Sequence, residues 1–180
     1  MRIAVWLTGR MNDLPEQIEV RGTVLDRVGL AEEFVCWSAT LPGDEPGTVS
    51  IVVEPAGPPT DAAVDSAAEA IAGFDGFAAA ASRYLVGELT DPRWALDAED
   101  RTRLDGPVAP FDLPEAIIWA DGTWMIRFAE CALAMGEEFG IGVRFVGSAP
   151  VGVEDLSGRP RSRPTDHADV AADGSARIRP

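Results

Sequence analysis

Lysine is absent from this chain: all 15 of its basic residues are arginine. A P-loop of the form G-x-x-x-x-G-K-[ST], which needs a Lys ammonium against the phosphates, is therefore excluded, and so is a Schiff base to a side-chain amine. The 18 glycines form no G-x-G-x-x-G fingerprint either. Histidine is almost as scarce. The one copy, His167, falls in a polar C-terminal stretch, so no Ser-His-Asp or Cys-His pair and no His-ligated zinc is expected on a rigid scaffold. Two cysteines, Cys36 and Cys131, are too few for a disulfide framework or an unaided structural zinc site. Buried free thiols are one reading of them, and a single cross-sheet bridge is the other. Long apolar runs are missing as well. Nothing approaches the ~18 residues of a membrane-spanning helix, and the start, MRIAVWLTGR, lacks the apolar stretch and cleavage site of a signal peptide. A cytoplasmic location is expected.

What is present is negative charge. Thirty Asp and Glu against 15 Arg give a net charge of −15 over 180 residues. With one Asn and no Lys, the composition fits a GC-rich bacterial genome, or adaptation to high salt. A surface of this sign repels the nucleic-acid backbone and anionic lipid. No nucleic acid and no membrane partner is expected. A basic protein partner is compatible with the charge, and so is solubility alone. The charge is unevenly placed: residues 1–157 hold 27 acids and 10 arginines, whereas 158–180 hold three acids and five arginines.

Hydrophobic periodicity predicts an α+β domain over 1–157, followed by a disordered tail over 158–180 with little apolar content. Alternation of period two predicts strands at 1–9, 17–27, 32–41 and 48–54. Thr60 or Asp61 then caps a helix whose inward residues include Val64, Ala67, Ile71, Phe74, Ala81 and Leu85, with Gly73 and Gly76 as a place to kink. Asp91-Pro92 is a start signal for a second, shorter helix, and 105–114, with three prolines, reads as loop. Ile117 to Trp119 and Trp124 to Phe128 flank Asp121-Gly122, which predicts a hairpin with a type I′ turn. Strands at 141–146 and 151–156 complete a mainly antiparallel sheet of about six to seven strands. Two β-meanders flank one or two helices packed on one face.

The search for chemistry yields few candidates. Glu137 and Glu138 are adjacent in a polar turn, where successive side chains diverge. Asp97, Glu99, Asp100 and Asp105 resemble a calcium loop but fail the EF-hand spacing. Trp119 and Trp124 flank the Asp-Gly turn and are read as a cross-strand pair, either packed in the core or offered as an aromatic anchor to a partner. The candidate partner-binding residues are thus Trp119, Trp124, Glu137 and Glu138. No catalytic, cofactor-binding or metal-binding residue is assigned, and no cofactor is expected.

One resemblance rests on specific residues. Cys36-Trp37-Ser38-Ala39-Thr40-Leu41, a Pro/Gly turn, Val49 to Glu54 and an Ala-rich helix form one half. Leu113-Pro114-Glu115, the strand through Phe128 and Cys131, and Glu138-Phe139-Gly140-Ile141 form the other. Over roughly 17–157 this resembles a group of uncharacterised bacterial α+β domains of unknown function, some of them suspected immunity proteins of polymorphic toxin systems. Many relatives of that kind carry His at the position of Phe139; if the imidazole has a role there, this chain lacks it. The resemblance bears on the architecture more than on activity; together with the acidity, the small size and the lack of catalytic residues it points to a non-catalytic intracellular protein-binding domain, with neutralisation of a basic toxin as its specific form. An accessory or structural domain without a toxin partner, and a carboxylate-based enzyme, are the alternatives. The oligomeric state is left open.

Overall fold

The structure is a computed structural model that describes residues 14–31, 33–43 and 46–156. The strand expected at 1–9, the tail at 158–180 and His167 lie outside the described residues. Among the described residues, eight strands form one sheet in simple chain order: β1 (Gln17–Val20), β2 (Thr23–Leu30), β3 (Val35–Leu41), β4 (Gly47–Val53), β5 (Phe111–Trp119), β6 (Trp124–Cys131), β7 (Ile141–Val146) and β8 (Ala149–Asp155). Every neighbouring pair is antiparallel except β4 and β5, which run parallel from Thr48↔Glu115 to Val52↔Trp119. Antiparallel strands need only a turn between them, whereas a parallel pair needs a crossover. Here the crossover is the long helix α1 (Asp61–Leu89), a 3-10 turn (Pro92–Trp94) and the short helix α2 (Ala98–Leu104). The α+β class and the two meanders around the helices follow the expectation. The strand count is eight rather than six to seven.

The extra strand comes from 17–27, which is a hairpin and not one strand. Arg21 (φ 57°) and Gly22 (φ 82°) both take the left-handed conformation, and Val20 pairs with Thr23. Two consecutive positive-φ residues between paired strands are the geometry of a type I′ turn. The turn at Asp121-Gly122 is of another kind. Trp119 N donates to Thr123 O and Gly122 N to Trp119 O, both at 2.9 Å, and only Gly122 has a positive φ, 81°. Ala120-Asp121-Gly122 is therefore a three-residue loop, a type I turn closed by a left-handed glycine. The Asp121 carboxylate holds it, accepting from Thr123 N (2.9 Å) and Thr123 Oγ1 (2.6 Å). β5 also begins earlier than expected, at Phe111. Residues 111–114 pair only with β6, and on such a one-sided stretch Pro114 deprives no ladder partner of a donor.

The helix is cut by its sequence as the capping rules require. Thr60 Oγ1 accepts from Ala63 N at 3.1 Å and also donates to Ala120 O, which ties the helix start to the β5–β6 loop. Ser66 Oγ adds a bond to Gly122 O at 2.7 Å. Ala63, Ala67 and Ala70 are fully buried, so small side chains bring the first half of α1 close to the sheet. At Gly73 (φ −124°, ψ 19°) the helix kinks. Phe74 then turns its ring onto Gly47, so closely that a Cβ there would sit 2.0 Å from a Phe74 ring carbon. Below the helix lie Val35, Trp37, Val49, Ile51, Ala116, Ile118, Ile126 and Val143, all buried on one sheet face. Trp37 satisfies its one donor by bonding Pro15 O at 2.9 Å.

Gly47→Ala should therefore destabilise the fold by about 1–3 kcal/mol through overpacking. Phe74→Leu in the same chain should recover part of that loss. Urea unfolding of the two single variants and the double variant measures the coupling, and strict additivity would contradict the contact.

Candidate functional site

The four candidate partner-binding residues do not form one site. In the three-residue loop, Ile118 sits opposite Trp124, and Trp119 opposite Thr123. A two-residue Asp121-Gly122 turn would have set the tryptophans against each other; one extra loop residue moves Trp119 to the opposite sheet face. Trp124 faces the helix and is 4% exposed. Its ring stacks on Phe145 (4.6 Å between centroids) and meets Phe77 of α1 edge-on (5.0 Å). It is a core residue with no free face for a partner. Trp119 lies half-buried on the sheet face away from the helix. Glu137 and Glu138 are exposed in the turn that follows β6. That turn leaves the end of β6 remote from Trp124 and folds back only as far as Arg127 and Phe128, so it does not reach Trp124.

Three of the four carboxylates that resembled a calcium loop are used locally, and Asp105 follows α2 as its C-terminal cap through its backbone N–H. Asp97 caps α2 by accepting from Asp100 N at 2.8 Å. Glu99 pairs with Arg103 at 2.6 Å. Asp100 turns inward, is 4% exposed, and receives Ala134 N at 3.2 and 3.3 Å with Arg103 Nη1 at 3.5 Å. Arg103 also donates to Ala132 O at 2.7 Å. Together these bonds fasten α2 to the turn after β6. Among the described residues no group of three or more His, Cys, Asp or Glu is placed to hold a metal ion, and no helix is long and apolar enough to cross a membrane.

The surface feature that sequence reading missed is a stripe on α1. Asp61, Asp65, Glu69 and Asp75 are all exposed on its outer side. Asp61, Asp65 and Glu69 are each four apart and so adjoin on one helix face, while Asp75 lies beyond the kink at Gly73. None of them makes an ion pair with another described residue; the acids that do are Glu16, Glu88, Asp91, Glu99, Asp100, Glu115 and Glu154. Helical periodicity of Asp and Glu on the polar side of α1 was the available signal. Asp121, in the loop bonded to the start of α1, adds a fifth exposed carboxylate nearby, and its hydrogen bonds from Thr123 hold its pKa below the ordinary value.

Shallow clefts of about 400 and 420 Å³ flank Phe74. One is lined by Thr23, Leu41 and the kinked helix segment, the other by Ser82, Asp112 and Phe128. Neither gathers a set of converging polar groups. Cys36 and Cys131 are free thiols. Burial pushes the pKa of both upward, against a weaker opposing bond from Ser50 to Cys36 and from the Leu133 backbone to Cys131. No family model, no curated protein and no solved structure matches the chain.

Two outcomes follow. Asp100→Ala should cost about 1.5–3 kcal/mol, because it removes the buried carboxylate that receives Ala134 N and Arg103; an unchanged urea midpoint would show that α2 is not fastened this way. Both thiols should label more slowly at pH 8 in the folded chain than in urea, since raised pKa values leave less thiolate. The unfolded thiols ionise first as pH climbs past about 8.5. Their contribution to stability is therefore complete below that pH and falls above it, which melting curves across the alkaline range would record.

Proposed function

We propose that this chain is a non-catalytic, intracellular protein-binding domain whose partner is basic, with an immunity protein that neutralises a toxin as the specific form. The observation that carries this reading is the row Asp61, Asp65, Glu69 and Asp75 on α1, exposed and without a cationic partner among the described residues. Like charges at i and i+4 on a helix cost stability, by a few tenths of a kcal/mol per pair. A row that costs folding energy is accounted for if a partner supplies the opposite charge. Such a row steers a basic protein into contact and raises the association rate, most strongly at low salt. The absence of Lys and the position of His167 in the sequence argue in the same direction, since they remove most nucleophilic and acid–base templates.

An accessory domain without a toxin partner is the second reading. It is favoured by the same observation if the charge serves solubility alone. A carboxylate enzyme has less support, because the inward-facing Asp100 is occupied by Ala134 and Arg103.

Co-expression with the product of the adjacent gene separates these readings. The immunity form expects a stable complex and restored growth of cells that make the toxin. Neutralising the row (Asp61→Asn, Asp65→Asn, Glu69→Gln, Asp75→Asn) should slow association about tenfold or more at low salt, while thermal stability holds or rises slightly. A complex whose on-rate ignores both these substitutions and salt would remove the row from the interface.

A further inference from the structure

The sheet face turned away from α1 differs from the rest of the molecule in charge. On it, strand pairing aligns two rows that cross the central strands: Cys36, Val52 and Trp119, and beside them Ser50, Ile117 and Met125. Of the charged side chains bordering these rows, four are matched across strands, while Glu54 and Asp121, each two residues from a row member, are exposed. Glu115 pairs with Arg127 at 3.1 Å, and Arg144 with Glu154 at 2.6 Å. The middle of this face is neutral and largely apolar in a chain of net charge −15. Glu19 and Asp26 stand only at its β1 end. Among the described residues no helix or strand is layered over it.

We propose that this face packs against the same face of a second copy of the chain, sheet on sheet about a two-fold axis. A neutral surface with its ion pairs closed within itself offers nothing to a basic partner, whereas two like-charged molecules can approach through it. Residues that are apolar on one copy then meet apolar residues on the other, the self-complementarity that a two-fold contact requires. The size is also suitable. Eight strands at about 4.8 Å spacing, with about six residues each at about 3.3 Å, present roughly 38 by 20 Å, close to the ~800 Å² per partner of a stable interface. Twisted sheets stack in this manner with their strands about 30° apart. This contact is separate from the acidic stripe on α1, which stays on the outside of both copies.

Sedimentation of the full chain from about 1 to 200 µM, in about 50 and 500 mM NaCl, tests the inference. A particle of twice 19.1 kDa is expected. Its dissociation constant should fall as salt rises, because screening weakens the repulsion between the copies. Trp119→Glu should raise that constant at least tenfold by placing an unpaired charge in the contact. Thr40→Glu, at an exposed position of the same face, should do the same with the melting curve unchanged. Val151→Glu makes the same change in net charge on β8, where Val151 is 48% exposed, and should affect the dimer less. A monomer at every concentration and both salts overturns the proposal. A dimer indifferent to Trp119→Glu and Thr40→Glu does so too. So does a chain that dimerises only after residues 1–13 are removed, since that segment would then be the occupant of the face.

Discussion

The parallel pairing of β4 and β5 is the constraint on which the rest of the structure depends. All other strand pairs join neighbours in the chain through short connections. This one joins strands separated by α1, the 3-10 turn and α2, and it requires the crossover to lie along one face. Once it is made, the two meanders become one sheet and the helix side of every strand is decided. Val49 and Ile51 then line up with Ala116 and Ile118 beneath α1. The contacts that hold this arrangement come in at both ends of the seam: Thr60 and Ser66 bond the β5–β6 loop, while Phe74 sits on Gly47 at the start of β4.

Charge is distributed around this frame with a consistent division. The helix exposes Asp61, Asp65, Glu69 and Asp75, which pair with no cation among the described residues, while the far sheet face pairs Glu115 with Arg127 and Arg144 with Glu154. A net charge read from composition says nothing of that division. It arises because α1 covers only one side of the sheet, so the two outer surfaces are drawn from different elements with different residue patterns.

Much of the architecture was legible from periodicity. Val35, Trp37 and Leu41 alternate cleanly, as do Val49, Ile51 and Val53, and Thr60 announces the helix by its side-chain oxygen. The misreadings have local causes. Arg21 in a left-handed conformation gives no Asn- or Asp-type turn signal, so the β1–β2 hairpin passed for one strand. Prolines at 107, 110 and 114 suggested loop, yet Pro114 rests on a one-sided stretch of β5. Asp91-Pro92 did start a helical segment, but a brief one; Ala95 at φ 51° ends it, and Asp97 caps the helix that follows. For the candidate site, a single residue of loop length was decisive. The extra residue in the Ala120-Asp121-Gly122 loop sent Trp119 and Trp124 to opposite sides of the sheet, which no alternation pattern within either strand reveals. The burial of Asp100 was equally hidden, because its partners, Ala134 and Arg103, are fixed only when α2 docks on a distant turn.

The order of the strands also bears on how the chain reaches its native state. Each meander is assembled from contacts between residues close in sequence, a local topology that forms quickly. Joining β4 to β5 instead closes a loop that holds all three helical segments, and that closure carries the largest entropic cost in the sheet. The seam is then the slow event. Until it forms, β4 and β5 are bare edges on two half-sheets, each able to pair with the wrong chain. The alanines on the inner side of α1 let the helix settle closely over both strands once the seam is made, and so cover what the two half-sheets left bare.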